Sequence, residues 1–103
     1  MATSVKIKVE GLKGVALYKH WDGYPTATLP WLEAFNENFT AARGDDPNYK
    51  FAQLIRSSAF DSEVFNLDYD RILGWGVITD KEEWNCRYIY TLHRDGTVSY
   101  RKK

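Results

Sequence analysis

The sequence predicts a two-layer α+β domain in which an antiparallel β-sheet is covered on one face by two helices, in the order ββααβββ. Two observations predict this class. Segments of alternating apolar and polar residues lie at both ends of the chain, and segments of helical period lie between them. A length of 103 residues suits one unit, so we treat residues 1–103 as a single domain. The sequence contains no strand–helix–strand unit with a phosphate loop, which argues against a doubly wound nucleotide-binding fold.

The first hairpin is predicted over residues 4–21. The segment "SVKIKVEG" alternates strictly, which is typical of a strand with one apolar face and one wet face. The glycines of "GLKG" mark a turn, and "VALYKHW" continues as the second strand. Because side chains alternate along a strand, Tyr18 and His20 share the face opposite Leu17.

Two helices are predicted next. The first covers Leu29–Arg43, with Thr28 as its N-cap and Pro30 in its first turn. The second covers Asn48–Phe60, after the Gly and Pro of "RGDDPN". The stretch Asp61–Arg71 fits neither period and is interpreted as an irregular connector. The side of the first helix away from its apolar stripe carries Glu33, Asn36, Glu37, Thr40 and Arg43.

Three strands complete the predicted sheet, at residues 72–80, 84–93 and 97–102. Two turns could join the last two. A two-residue Asp95-Gly96 turn would pair Arg94 with Thr97, whereas a three-residue loop with a left-handed Gly96 would pair His93 with Thr97. Register follows the hydrophobic pattern, so we prefer the three-residue loop. It places on one face Tyr88, Tyr90, Leu92, Val98 and Tyr100.

The composition supports one core without metal or disulfide. Apolar residues make up 44% of the chain, which is enough for a folded domain of this length. The predicted core comprises Val5, Ile7, Val9, Leu17, Leu32, Phe35, Phe39, Leu54, Ile55, Val77, Tyr90 and Leu92.

Charge and cysteine content narrow the classes of function. The 14 basic and 14 acidic residues cancel, which argues against a general nucleic-acid binder and favours a protein partner. Cys86 is the only cysteine, so no internal disulfide can form, and a reducing compartment is expected. The sequence shows neither an apolar signal region at its start nor a run of about 20 apolar residues, so we expect a cytoplasmic protein without a membrane partner.

The octapeptide "YKHWDGYP" (Tyr18–Pro25) is the densest group of chemically distinctive residues. At the end of a first hairpin it resembles a hallmark of small phage and prokaryotic proteins of unknown function. "FAQLI" (Phe51–Ile55) and "CRYIYTL" (Cys86–Leu92) resemble other motifs of these proteins, so the similarity covers most of the chain, although only "HWDGYP" is specific. The resemblance implies a fold and no established activity. "TATLPWLEAF" departs from the Gly-rich stretch that such proteins often carry at the first helix.

The structural interpretation makes the octapeptide a rigid corner. Asp22-Gly23 is a turn dipeptide in which Gly23 takes a positive φ, and Tyr24-Pro25 favours an extended residue before the helix. Trp21 and Tyr24 would then cover the seam between sheet and helix.

Two chemical interpretations compete with the corner. His20 and Asp22 could ligate a metal, with His93 as a third ligand, although nothing in the sequence places His93 beside His20. Alternatively, His20 could act as a general base oriented by Asp22, but no partner nucleophile can be identified. We therefore predict no catalytic residue, no metal and no cofactor.

The favoured function is a small non-enzymatic interaction domain that binds a protein, with self-association as an open alternative. Its contact region is predicted around Tyr18, His20, Trp21, Asp22 and Tyr24, because aromatic and polar side chains on a sheet face can contact a partner. The alternative is a small enzyme or metal-binding protein centred on His20 and Asp22.

Overall fold

The computed structural model of the chain describes residues 3–58, 75–79, 81–82 and 86–103. The predicted α+β class and the order ββααβββ are confirmed in these residues. Their elements are β1 Val5–Val9, β2 Val15–Lys19, α1 Pro25–Arg43, α2 Pro47–Ser58, β3 Trp75–Thr79, β4 Tyr88–Leu92 and β5 Val98–Lys102. The predicted connector 61–71 lies outside the described residues, as does the predicted end of the second helix at Phe60. Neither described helix is long and apolar enough to cross a membrane.

The sheet has the strand order β3-β2-β1-β4-β5. Three of its four neighbouring pairs are antiparallel, and β1 and β4 run parallel at its centre. The sheet is therefore mostly antiparallel, as predicted, with one parallel pair that the sequence did not reveal. The reason is that turn signals specify the pairing of strands that follow one another, whereas β1 and β4 are distant in the chain.

The core lies between one face of the sheet and both helices. Leu32 of α1 and Leu54 of α2 belong to the same buried cluster as the alternate residues of β1, β2 and β4. The fully packed members are Val5, Ile7, Val9, Leu17, Leu32, Leu54, Tyr90 and Leu92. Burying each aliphatic member contributes about 1.5–3 kcal/mol, so this cluster is the main source of stability.

Two predicted core residues are wrong. Val77 is 52% exposed, because β3 forms an edge of the sheet. Ile55 is also exposed, since it lies one position past the buried Leu54 and a helix turns by about 100° per residue. Phe39 is buried as predicted, and Phe35 is partly buried against the cluster.

The sheet face away from the helices also buries side chains, which contradicts the predicted wet face of β1. Ala16, Ile78 and Ile89 are buried there. Lys6 is buried as well, and its Nζ donates to the carbonyl of Glu82 at 3.0 Å.

The β4–β5 hairpin has the predicted three-residue loop. The N–H of His93 donates to the carbonyl of Thr97 at 2.8 Å, and Gly96 has a φ of +96°. Tyr90 therefore lies opposite Tyr100, which confirms the predicted face.

Helix α1 begins four residues earlier than predicted. Pro25 occupies its first turn and Tyr24 is the N-cap, whose carbonyl accepts from the N–H groups of Ala27 and Thr28. The fixed φ of proline suits a first helical position, so Pro25 starts the helix and Pro30 lies inside it. Thr28 is thus a buried helical residue and not the N-cap.

Candidate functional site

The corner between β2 and α1, formed by Asp22, Gly23 and Tyr24, has a backbone that differs from the prediction. Asp22 takes the left-handed conformation with a φ of +54°, and Gly23 does not. Aspartate tolerates this region better than most residues because its short polar side chain bonds locally. Gly23 is needed for space instead: a Cβ there would collide with the Val5 side chain and lie 2.6 Å from the Thr3 carbonyl oxygen.

Three hydrogen bonds hold the corner to its neighbours. The N–H of Gly23 donates to the carbonyl of Thr3 at 2.8 Å. The hydroxyl of Thr28 donates to the carbonyl of Asp22 at 2.8 Å. The hydroxyl of Tyr90 donates to the carbonyl of Gly23 at 2.7 Å. The corner is therefore bound at once to the residues just before β1, to α1 and to β4, and each bond contributes about 1 kcal/mol.

Tyr90 is fully buried beneath this corner. Burial raises the pKa of its phenol far above the ordinary value of 10.0, and the neighbouring Tyr100 and Tyr88 raise it further. The hydroxyl therefore keeps its proton at any physiological pH, so it remains a donor to Gly23.

His20 lies in a small network of hydroxyl groups. Its Nδ1 is 2.6 Å from the hydroxyl of Tyr18 and 3.3 Å from Oγ of Ser4. The Ser4 hydroxyl is also within bonding distance of the His20 carbonyl, and the Tyr18 hydroxyl within bonding distance of Ser4. The ring of Trp21 meets the imidazole edge to face at 4.6 Å. These contacts fix the imidazole against the end of β1.

The structure brings some of the predicted site residues together and separates others. Tyr18, His20 and Trp21 form one half-buried group. Asp22 is exposed at the turn, and the Tyr24 ring is 42% exposed, so Tyr24 fixes the helix start through its backbone. Trp21 and Tyr24 were expected to cover the seam between sheet and helix, and it is the buried Tyr90 whose hydroxyl bonds to the corner there.

Thr28 and Tyr90 bond to the corner, and Ser4 bonds to His20 and Tyr18; none of the three was found as a site residue from the sequence. Tyr90 was predicted only as a core residue. Its partner Gly23 lies 67 positions earlier in the chain, and no local pattern links the two.

His93 lies far from His20. His20 is beside Ser4, just before β1, whereas Nδ1 of His93 faces Glu10, just after β1. Residues 4 and 10 are six positions apart along β1, and six residues of a strand span about 20 Å. The two imidazoles at these two ends therefore cannot share an ion. The residues that the structure describes include no group of three or more His, Cys, Asp or Glu that could hold a metal.

A second polar cluster, the hairpin-end cluster, lies at that far end of the sheet. It consists of Glu10, Asn36, Lys50, His93 and Ser99. The buried Asn36 amide donates to the carbonyls of His93 and Thr97 at 3.0 and 2.9 Å. The Lys50 ammonium, in a side chain only 2% exposed, donates to the same His93 carbonyl at 3.2 Å. The helical pattern predicted that Asn36 lies on the solvent side of the first helix. That prediction is wrong, because Asn36 is buried and bonds to the β4–β5 hairpin.

Two groups of the hairpin-end cluster, Lys50 and Glu10, have a lowered pKa for different physical reasons. Burial lowers the pKa of Lys50, because the charged ammonium loses its hydration. The N–H of Arg94 donates to the Glu10 carboxylate at 2.9 Å and lowers the pKa of Glu10. Both groups bond to the β4–β5 hairpin, Lys50 through the His93 carbonyl and Glu10 through the Arg94 N–H.

Ser99, His93 and Glu10 are arranged in the way that the nucleophile, the base and the carboxylate of a catalytic triad are arranged. Nε2 of His93 lies 2.6 Å from Oγ of Ser99, and its Nδ1 lies 3.7 Å from Glu10. Acyl transfer also needs donors for the oxyanion. The Ser99 N–H faces Thr91 across the β4–β5 ladder, so it is not one of them. The arrangement fastens the hairpin.

The corner continues into a cluster of three rings, Tyr88, Tyr90 and Tyr100, which we call the tyrosine cluster. Tyr90 lies 5.5 Å from Tyr100 and 6.4 Å from Tyr88, and Tyr88 lies 6.0 Å from Tyr100. Tyr100 belongs to β5 and is 46% exposed. A continuous path of contacts therefore joins the corner to the edge of the sheet. The chain matches no protein-family model, no curated protein and no solved structure, so the resemblance of the octapeptide to phage and prokaryotic proteins stays a prediction.

Proposed function

We propose that the protein is a small protein-interaction domain whose contact surface runs from the corner, through the tyrosine cluster, to β5. The observation that carries this proposal is the position of Tyr100. Its ring is nearly half exposed on an edge strand, yet it is held in place by contact with Tyr88 and the buried Tyr90. Aromatic side chains that are rigid and partly exposed are common anchors of protein interfaces.

Within the predicted contact region, two different roles are supported. Asp22 and Tyr24 are exposed beside the corner and are the part that a partner would reach. Tyr18 and His20 bond to Ser4 and to each other. These bonds favour a structural role for both residues, in which they hold the contact region in place. Recognition in this proposal is secondary to the corner, because the corner sets the position of the rings.

The lone Cys86 is buried and supports a reducing compartment, so we place the domain in the cytoplasm. The balanced charge of the chain supports a protein as the partner in preference to nucleic acid. A second copy of the chain is the other protein partner that the experiment must address.

Affinity capture with Tyr100→Ser, followed by quantitative mass spectrometry, tests this proposal. We expect Tyr100→Ser to reduce the captured partner at least tenfold. Tyr49→Ser is the matched control, since Tyr49 is 44% exposed on α2 and packs against Phe39, outside the tyrosine cluster. Equal capture by both variants and the wild type would contradict the proposal. Light scattering of the same proteins reports whether the partner is a second copy.

A further inference from the structure

We infer that the cleft between α1 and the β4–β5 hairpin, which we call the acidic cleft, takes an arginine side chain of the partner. This inference rests on the proposed function and names the chemistry of the partner. It depends on the place of the cleft beside the tyrosine cluster, on its carboxylates and on two buried oxygen atoms that have no donor.

The acidic cleft has a volume of about 670 Å³, which is in the range of sites that hold a small ligand or a long side chain. One wall belongs to α1 and the other to the hairpin loop and the start of β5, and together they include Glu33, Glu37, Thr40, Asp95, Gly96 and Val98. The walls meet where the loop packs on the helix, because a Cβ at Gly96 would lie 3.6 Å from Cβ of Thr40.

Val98 joins the acidic cleft to the proposed contact surface. Val98 and Tyr100 are two residues apart on β5, so their side chains lie on one face, about 7 Å apart. A partner residue that packs on Tyr100 is therefore followed, two residues along an extended segment, by one that enters the cleft. Lys102 lies on the same face about 13 Å from Val98, so this face is acidic at the cleft and basic at the far end.

The two glutamates of the cleft are not neutralised within the described structure. Glu33 and Glu37 are exposed, and their carboxylates make no hydrogen bond or ion pair with any residue that the structure describes. They are four residues apart on α1, where like charges destabilise a helix. A cation held between them would remove that repulsion. The third carboxylate, that of Asp95, accepts from the Thr97 hydroxyl at 2.6 Å, which lowers its pKa and keeps it charged.

The basic residues of the chain nearest to the cleft are bound elsewhere. Arg43 of α1 and Arg94 of the hairpin loop each pair with an aspartate of the α1–α2 loop, at 3.3 and 3.5 Å. Lys50 is attracted by Asp95, but it is only 2% exposed and its Nζ donates to the His93 carbonyl. The cation that the glutamates attract must therefore come from a partner.

Two buried oxygen atoms at the cleft wall have no donor among the described residues. The Asn36 side chain is fully buried and donates to the carbonyl of Thr97, but its Oδ1 has no partner. Oγ1 of Thr40, one helical turn later, has no partner either, and Thr40 lines the cleft. Buried polar atoms without a partner are rare. Helical threonine has two accessible χ1 rotamers, so the Thr40 hydroxyl can turn towards a donor in the cleft.

The spread of the carboxylates favours arginine over a metal ion. Glu33, Glu37 and Asp95 all line the cleft, yet the described residues include no group of three acidic, His or Cys side chains that could hold a metal. A metal ion requires its ligands around one centre. A guanidinium instead carries five N–H donors in a planar fork and no acceptor, so it can bond to separated oxygen atoms at once.

Titration of the ¹⁵N-labelled protein with the blocked pentapeptide serine–arginine–serine–leucine–serine tests the inference by NMR. Its leucine and arginine have the spacing of Tyr100 and Val98. We expect the largest shifts at the amides of Glu37, Thr40, Gly96 and Val98. The counterpart with citrulline, which has the shape of arginine without its charge, should bind at least tenfold more weakly. Binding should also weaken severalfold from about 50 mM to about 500 mM salt, because the glutamates are exposed.

Two variants with the same chemical change separate the cleft from the overall charge. Glu37→Gln removes one negative charge from the cleft, and Glu82→Gln removes one near Lys6, on the sheet face away from the helices. We expect Glu37→Gln to bind the arginine peptide at least threefold more weakly than Glu82→Gln, which should match the wild type. Equal binding by the two variants would overturn the inference. The dispersion of both spectra verifies that the variants fold.

Other outcomes also decide the question. If the arginine peptide shifts no amide of the cleft, or if the citrulline peptide binds equally well, the inference is wrong. If calcium chloride displaces the peptide at equal ionic strength, the occupant is a metal ion, and the inference is again wrong. If Glu33→Gln/Glu37→Gln captures the partner that Tyr100→Ser loses, the proposed function stands and only the arginine is overturned. Peptide binding in the cleft with undiminished capture by Tyr100→Ser would contradict the proposed function alone.

Discussion

The two ends of the sheet fasten the helices to the strands by different chemistry. At the corner, neutral hydroxyls of Tyr90 and Thr28 donate to the carbonyls of Gly23 and Asp22. At the hairpin end, the Asn36 amide and the Lys50 ammonium converge on the carbonyl of His93. Both ends thus direct side-chain donors from buried residues to backbone carbonyls.

The difference lies in the free energy needed to bury the donor. A hydroxyl or amide loses little on burial when it is bonded, whereas an ammonium loses a large hydration energy that one carbonyl does not restore. We therefore expect both hydroxyl donors at the corner, those of Tyr90 and Thr28, to stabilise the fold. At the hairpin end, Asn36 should stabilise the fold and the charge of Lys50 should oppose it.

The largest effect is expected at Gly23. Gly23→Ala places a methyl group against Val5 and the Thr3 carbonyl, and we expect the free energy of unfolding to fall by more than about 3 kcal/mol. Urea denaturation followed by circular dichroism measures this. Gly76→Ala is the control, since no atom lies within 4 Å of its added Cβ, and it should change stability by about 0.5 kcal/mol or less. If Gly23→Ala left the free energy of unfolding unchanged, the account of the corner as a place without room for a Cβ would be wrong.

Asn36→Ala should have the next largest effect. It removes the donors to His93 and Thr97 and leaves a buried space, so we expect a loss of about 2–3 kcal/mol. Asn38→Ala, at an exposed position of the same helix, should change stability by about 0.5 kcal/mol or less. Thermal unfolding of the two variants gives the comparison, and equal melting temperatures would show that the hairpin end does not depend on Asn36.

Lys50→Met should be stabilising by about 1 kcal/mol. It keeps the buried stem and removes the charge, while Asn36 continues to donate to His93. A fall in the free energy of unfolding on urea denaturation at neutral pH would contradict the comparison, because it would mean that the ammonium stabilises the hairpin end.

The same lysine predicts a pH dependence with a definite sign. Its pKa is lowered in the folded protein, so the unfolded chain binds more protons between that lowered pKa and 10.5. The wild type should therefore become more stable relative to Lys50→Met as pH rises through this alkaline window. Urea titrations of both proteins at several pH values measure the difference, and a constant difference would contradict the assignment.

The sequence predicted what short-range patterns determine. Gly96 and the alternation of β4 and β5 determine their register, because a hairpin turn couples both strands. The start of α1 was missed, since Thr28 is an equally good cap by composition and only the tertiary structure makes it a donor to Asp22. Asn36 and Tyr90 acquire their partners from distant strands, and helical or strand periodicity carries no information on those contacts.

The free energy of unfolding of Tyr90→Phe, compared with that of Tyr100→Phe by urea denaturation, tests the central claim most directly. Both changes remove one hydroxyl from the same ring cluster, but only that of Tyr90 bonds to the corner. We predict a loss of about 1–3 kcal/mol for Tyr90→Phe and of about 0.5 kcal/mol or less for Tyr100→Phe. Equal losses for the two variants would show that the corner does not depend on the Tyr90 hydroxyl.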